Sequence, residues 1–444
     1  MISSLNKSAP HIVQIIEQLK SAGFVTYLVG GAVRDIMLGR TPKDYDLSGS
    51  ATPEEVKALF GRRKSRIIGK RFKIAHLYHG REIIEISTFR KTPAARSPDE
   101  RDDVPPDELI IRHDNEYGTA EEDAWRRDFT VNAIFFDPLS NKVIDFTGMG
   151  KRDLEDGLVR AIGDPKVRFS EDPVRILRAL KLVGQYGFRL EENTAKALRD
   201  ALPLIDLASK SRLVLELEKI MRNPYSTNIF RAFHAHGFLE RFLPNLASRW
   251  DTTSCQRAME LLHEHNLRTL TGDSPDFLSD GVAALSLPFF DAATSGGRLS
   301  GCEWEYYSGI ENDIRDLIYS LLYPHNLPKF LIAASVGAIL LQPRLKSKAR
   351  PQKTRNHPNF RAARELMVTQ NNIWWKDPTL EDHWRAKSGT FPQDQELGQE
   401  LEQEQVQAPD PIGDGRGRSR NRGRRRGRKR GSAAPNGQQN QPPG

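Results

Sequence analysis

Apolar positions first fall into helical spacing at residues 11–20, where Ile12, Ile15, Ile16 and Leu19 share one face. Residues 24–29 form a short apolar run that ends at Gly30-Gly31 and predicts a buried strand. Residues 32–38 predict a short helix, stopped by Gly39 and the turn around Pro42. Residues 44–47 read as strand, and residues 53–60 as a helix that Thr52 can cap. Residues 74–78 and 83–89 read as further strands. Short antiparallel strands beside a few helices predict an α+β domain. Residues 91–108 are polar, acidic and proline-bearing, and predict a flexible loop. Regular structure resumes at Thr119, and from Pro173 to about Leu341 the pattern is almost wholly helical, with loops near Gly272 and Gly296. There is no internal repeat.

Charge changes the picture only at the C-terminal end. Arg416, Arg418, Arg420, Arg422, Arg424, Arg425, Arg426, Arg428, Lys429 and Arg430 form a run without an acid among them, and removing these ten cations takes the net charge from +8 to −2. The body is nearly neutral, and a glycine-interleaved polyelectrolyte makes the chain basic. Residues 393–413 are rich in Glu and Gln and end in a proline-containing linker, and the Arg/Gly run and the Gln/Asn/Pro end after it carry too few apolar residues to fold alone. Two cysteines, Cys255 and Cys302, exclude a disulfide framework and suit a reducing compartment. The apolar stretch at residues 330–341 is too short for a bilayer, which needs about 20 residues, and reads as a core helix. No targeting pattern opens the chain. The expectation is a cytoplasmic protein without a membrane span.

Candidate chemistry begins at Gly30-Gly31. Two glycines after a strand let backbone amides approach a ligand closely, and a following helix favours phosphate. Arg34 adds charge. Asp44 and Asp46, spaced i, i+2, would point to one face of a strand. Their mutual repulsion calls for a cation, and hard oxygen ligands suit Mg²⁺. Two such ions about 3.5–4 Å apart serve in-line displacement at phosphorus. Glu85 interrupts an apolar strand and is the candidate third acid. A Gly-Gly turn, a solvated Asp pair and an edge-strand Glu are the alternatives.

This order of Gly-Gly-x-x-Arg-Asp, Asp-x-Asp and a strand Glu resembles the class II nucleotidyltransferase superfamily, which holds bacterial poly(A) polymerases and CCA-adding tRNA nucleotidyltransferases. The resemblance implies a polymerase-beta-like nucleotidyltransferase head. It assigns Asp44, Asp46 and Glu85 to two Mg²⁺ ions, with Mn²⁺ as a substitute. The string Arg126-Arg127-Asp128-Phe129-Thr130-Val131-Asn132 resembles the family's Arg-Arg-Asp-Phe-Thr-x-Asn motif. It implies triphosphate and ribose binding by Arg127 and Asn132, with Asp128 a further active-site acid. Alone, the string would read as a surface salt-bridge cluster.

Glu171-Asp172-Pro173-Val174-Arg175-Ile176-Leu177-Arg178 sets Asp172, Arg175 and Arg178 along one side of a helix, where Asp accepts from an amine and Arg donates to ring nitrogens. It resembles the family's Glu-Asp-x-x-Arg-x-x-Arg base-selecting motif; a capping Asp and two surface arginines are the alternative. Arg212, with Glu216 one turn on, resembles the next helical motif more loosely.

Residues 67–76 lean towards the poly(A) polymerase branch through Gly69-Lys70-Arg71-Phe72 and Ala75-His76, with Lys70 where Arg is common. Residues 114–124, His357-Pro358-Asn359-Phe360 and Trp374-Trp375 are similar to that branch as well. The resemblance is strong over about residues 24–240, weaker to about 385, and slight over 251–324.

The implied organisation is an N-terminal helix at residues 1–23, a catalytic head at 24–160 and a helical neck binding nucleotide and RNA at 161–240. A helical body at 241–390 and a disordered linker with RNA-binding tail at 391–444 complete it. The implied reaction is template-independent addition of AMP from ATP to RNA 3′ ends in RNA polyadenylation and decay. ATP, RNA 3′ ends and RNA-decay proteins are the expected partners of a monomer. The alternatives are a CCA-adding or A-adding tRNA enzyme and, more distantly, a non-catalytic RNA-binding protein. Neutralising about ten phosphates of single-stranded RNA with the tail gives a log–log salt slope near −7. The pairs His234/His236 and His263/His265 read as helix-surface histidines, and no P-loop pattern occurs.

Overall fold

The computed structural model describes residues 1–69, 73–80, 82–91, 116–273, 278–296 and 301–385. The expected loop at 91–108 (beyond Lys91), the Lys70-Arg71-Phe72 segment and the whole linker and tail lie outside the described residues. Residues Met1–Arg385 form one compact unit.

Its first half is built on a seven-stranded sheet in the order β3-β4-β5-β2-β1-β6-β7. The strands are β1 (Thr26–Val29), β2 (Asp46–Gly49), β3 (Ser65–Ile68), β4 (Ile74–His79), β5 (Glu82–Thr88), β6 (Ile134–Asp137) and β7 (Lys142–Asp145). Pairings are antiparallel except for β2 with β5, which run parallel and place Asp46 opposite Glu85. That parallel pair sits at the middle of the sheet, where helix Pro53–Phe60 makes the crossover. The helix opens with a full capping box: the Thr52 hydroxyl accepts from the Glu55 amide, and the Glu55 carboxylate accepts from the Thr52 amide.

Three expectations change. The N-terminal segment is two helices, Ile2–Ser8 and Pro10–Ser21, because Pro10 cannot continue the first and starts the second. Strand β2 starts at Asp46, so Asp44 stands in the loop before it and the i, i+2 strand argument covers Asp46 alone. The helical half also contains a two-residue strand, Arg189–Leu190, paired in parallel with Leu158–Val159.

The second half is otherwise helical. Val174–Tyr186 packs on Ser226–Ala235, and Thr253–Thr271 on Leu278–Thr294. Gly184 makes the first contact possible, since a Cβ there would stand 2.5 Å from the Ile229 Cα. Lys329–Leu340 is the expected core helix, with Leu331, Ile332, Val336 and Ile339 buried. No helix among the described residues is long and apolar enough to cross a membrane. Both cysteines are free and buried, and the Cys302 thiol donates to Gln370 Oε1 at 3.0 Å.

Candidate active site

The chain leaves β1 at Gly30, which has φ +70° and ψ −135°. This conformation suits glycine, and a Cβ there would also press Arg127 Nη1 at 3.3 Å. Helix Gly31–Met37 then points Arg34 inward rather than to solvent. Arg34 donates through Nη1 to Asn132 Oδ1 at 2.6 Å, through Nε and Nη2 to Asp35 Oδ1 at 3.0 and 2.9 Å, and through Nη2 to the Tyr186 hydroxyl at 2.5 Å. Its guanidinium also lies 4.4 Å from the Tyr186 ring centre. Arg34 thus braces the glycine turn to the helical half.

The carboxylates gather on the sheet beside this turn. Asp46 and Glu85 are cross-strand partners, and Asp44 stands two residues before β2. The Asp46 side chain reaches solvent, yet neighbouring atoms crowd its carboxylate. That crowding, with Glu85 and Asp44, pushes its carboxyl up to about 6 against the lowering pull of Arg127 and Lys219. Unbalanced negative charge at this point is what a divalent cation relieves.

Among the described residues no three His, Cys, Asp or Glu side chains close a cage by themselves. Mg²⁺ does not ask for one: it keeps waters and commonly takes one or two carboxylates plus substrate phosphates. Asp46 and Glu85, adjacent in register, are two such carboxylates, and Asp44 stands in the loop two residues before Asp46.

Arg127 approaches the acids from the end of helix Ala120–Arg126. Its Nη2 donates to Asp123 Oδ2 at 3.0 Å, and its guanidinium lies 5.1 Å from the Phe135 ring centre. Asp123 is buried and also accepts from Ser48 Oγ and the Arg90 amide, both at 3.3 Å. Arg168 reaches under the same corner. Its Nη2 donates to the carbonyls of Arg126 and Arg127, the latter at 2.6 Å. Arg126 is pushed down to about 9 by burial and by the neighbouring Arg90, Arg127, Arg168 and Arg175. Such a concentration of guanidinium charge suits a polyanion.

Asp128 is buried where the sheet meets the helices. It accepts from the Phe129 amide at 2.8 Å and Asn132 Nδ2 at 3.1 Å, and pairs with Arg178 at 2.9 Å. Burial alone would raise its pKa; Arg178, Asn132, Arg175 and the Phe129 amide outweigh burial and hold it below the usual carboxylate range. The chain of contacts Arg34–Asn132–Asp128–Arg178 joins the glycine turn to helix Val174–Tyr186.

At that helix's start, Asp172 caps Val174 (3.2 Å) and receives both terminal nitrogens of Arg212 at 3.0 and 2.8 Å. Arg175 is buried and donates to the Arg168 carbonyl at 2.8 Å and Glu171 at 3.3 Å. Glu216, one turn beyond Arg212, pairs with Lys181 and Lys219.

The structure therefore brings Gly30, Gly31, Arg34, Arg127, Asp128, Asn132 and Arg178 into one connected constellation, with Arg127 acting on Asp46 and Glu85 beside Asp46 in register. Asp172 and Arg175 begin the helix that carries Arg178. The ten tail cations lie outside the described residues. Sequence reading missed Asp123, Tyr186 and Lys219. Asp123 carried one usable signal, an acid four residues before Arg127 on a helix; the other two gave none.

Comparisons with known proteins agree with this layout. A family model described as "Poly A polymerase head domain" matches residues 26–160, and one described as "Probable RNA and SrmB- binding site of polymerase A" matches residues 187–249. The chain is 30% identical to poly(A) polymerase I of Haemophilus influenzae over 82% of its own length and 83% of the relative's. It is 38% identical to a CCA-adding enzyme of Lactobacillus helveticus over 49% of its length and 51% of the relative's. Among solved structures, a tRNA-processing enzyme superposes with a TM-score of 0.53 at 22% identity, over 88% of this chain and 98% of the other, which shows a shared fold. With its head, its helical half and relatives matched along most of their length, the chain belongs to the poly(A) polymerase and CCA-adding family and is a nucleotidyltransferase.

Proposed function

We propose that this nucleotidyltransferase is a poly(A) polymerase that moves AMP from ATP to an RNA 3′-hydroxyl, releasing pyrophosphate. The observation that carries the reading is the register pairing of Asp46 with Glu85 on β2 and β5, with the Arg127 guanidinium acting on Asp46. Carboxylates for a metal and a guanidinium for phosphate thus come together at one end of the sheet. Mg²⁺ held by Asp44, Asp46 and Glu85 would supply Lewis acidity at the α-phosphate and the attacking hydroxyl.

The chain's own groups do the rest. Arg127, oriented by Asp123, binds the triphosphate, and Gly30 keeps the backbone low enough for it to pass. Asn132, fixed between Arg34 and Asp128, addresses the ribose. The Asp172 carboxylate keeps a lone pair beyond the three that Arg212 and the Val174 amide occupy and accepts from the adenine amine, while Arg175 and Arg178 border the base. The domain limits at 24–160, 161–240 and 241–390, a cytoplasmic monomer, RNA-decay partners and a sequence-blind tail at 391–444 belong to the same reading.

Addition of CCA to tRNA is the second reading, favoured by the 38% identity across half the chain. Poly(A) polymerase relatives are matched over 81–82% of this chain, which favours the first. The test offers an unstructured RNA with each nucleoside triphosphate in turn. The reading expects incorporation from ATP far above CTP, GTP and UTP, and none by the Asp44→Ala/Asp46→Ala double variant. Equal use of CTP, or activity in the double variant, contradicts it.

A further inference from the structure

The half-sheet β3-β4-β5 has two unlike faces. Helix Pro53–Phe60 packs on one, where Ala75, Leu77, Ile84 and Ile86 are buried. The other carries Arg66, Ile68, Ile74, His76, Tyr78 and Ile83, with Ile83 51% and Ile68 40% exposed. Strand register draws part of this face into a row that ends at the catalytic acids: Arg66 lies opposite His76, His76 opposite Glu85, and Glu85 opposite Asp46. Side-chain contacts agree. His76 Nε2 is 3.6 Å from Glu85, and the Arg66 guanidinium lies 5.8 Å from the Tyr78 ring centre.

We propose that this open face is the platform on which the last nucleotides of the RNA primer stack while the 3′-hydroxyl reaches the acids. The inference rests on the reading of the chain as an RNA-extending enzyme. Three observations choose RNA as the occupant. Arg178, from the helical half, pairs with Asp128 at 2.9 Å, and Arg34, Arg127 and Asn132 join them by hydrogen bonds beside the glycine turn, so the nucleotide-binding groups occupy that side and the primer's open approach is from β5, β4 and β3.

The side chains along that approach are those that hold single strands without reading sequence. Tyr78 and the isoleucines offer apolar surface to base faces, and Arg66 offers a planar cation to a base or phosphate. Charge also runs the right way: cationic at Arg66 on β3 and acidic at the far end of the row, where Glu85 and Asp46 stand with Asp44 beside them. From β2 to β3 is three strand spacings, about 14 Å, room for roughly four nucleotides stacked about 3.4 Å apart. Sequence-tolerant stacking suits a primer whose end is renewed at every addition.

The test uses the full chain with Mg²⁺, a non-hydrolysable ATP analogue and an oligoadenylate carrying 4-thiouridine two or three positions from its 3′ end. After irradiation, the crosslinked peptides are mapped by mass spectrometry. Crosslinks within residues 64–88 are expected. In parallel, Tyr78→Ala and Arg66→Gln should each raise the KM for a short oligoadenylate about tenfold. The ATP KM and the kcat at saturating RNA should hold, and Tyr78→Phe should retain the wild-type value. Crosslinks confined to other peptides, with unchanged RNA KM in both variants, overturn the proposal. A wild-type enzyme that extends no RNA would instead refute the reading of its activity, and the crosslink map would still decide where RNA lies.

Discussion

Asp123 holds Arg127 in place, and its removal gives a calculable penalty. The carboxylate accepts from Arg127 Nη2 at 3.0 Å, Ser48 Oγ at 3.3 Å and the Arg90 amide at 3.3 Å. The side chains of Asp123 and Arg127 are 7% and 21% exposed, so the pair is mostly withdrawn from water. Taking one partner from a buried pair costs about 3–5 kcal/mol. The remaining access of water to Arg127 puts Asp123→Ala at the low end, and loss of the acceptor for the Ser48 hydroxyl and the Arg90 amide adds about 1 kcal/mol.

The sum is a loss of about 4 kcal/mol. Asp123→Asn keeps an acceptor and should lose about half of that. Combined with Arg127→Met, the two changes should fall short of additivity by about 2 kcal/mol, because both remove one interaction. Urea denaturation followed by tryptophan fluorescence measures all three, and ATP titration should show weakened binding wherever Arg127 loses its partner. A loss below about 1 kcal/mol for Asp123→Ala, or strict additivity with Arg127→Met, refutes the argument.

Three further outcomes are expected. Gly184→Ala drives a methyl group into the Ile229 backbone at 2.5 Å, where no rotamer offers relief, and should cost about 3 kcal/mol or prevent folding; wild-type urea midpoints would show the helix contact to be looser than described. Asp280 is buried, its Oδ2 has no hydrogen-bond partner among the described residues, and burial followed by Glu365 pushes it up to about 8. An acid raised on folding binds its proton in the native state while the unfolded chain releases it. Wild-type stability should therefore fall by about 1.4 kcal/mol per pH unit from this group between its unfolded and folded pKa values. Asp280→Asn should lose that slope and unfold at a higher temperature than wild type at pH 8; identical pH profiles exclude the effect. Arg178→Met leaves Asp128 buried without its ion pair and should weaken ATP selection and stability together, read as a raised ATP KM and a lower melting temperature; no change in either contradicts the head-to-helix contact chain.

Local patterns were the legible part of this protein. The face of Ile12, Ile15, Ile16 and Leu19 is buried as its spacing demands, Thr52 caps its helix, and the glycine turn ends a strand. These depend on neighbours within a few residues. Strands β3, β6 and β7 were not read, since four-residue strands carry too few positions for alternation to show. The parallel pairing of β2 with β5 could not be read either, because register between strands nearly 40 residues apart is set by the crossover helix and the core. Arg34 looked like a free phosphate ligand, yet Asn132, 98 residues on, and Tyr186, 152 residues on, take its donors. Asp123 and Lys219 acquire their places in the same way, by packing that no local motif encodes. Asp44 and Asp46 drew notice through their spacing and the glycine turn before them, whereas Glu85, even between site and surface on its own, joined them only through the resemblance.

The central claim is ATP-only extension of RNA ends. Its most direct test offers the purified chain, with Mg²⁺, an unstructured RNA and a tRNA lacking its terminal CCA, each with ATP alone and with ATP plus CTP. The account predicts long adenylate ladders on both RNAs with ATP alone. Three additions confined to the tRNA and dependent on CTP would contradict it and assign the chain to CCA addition.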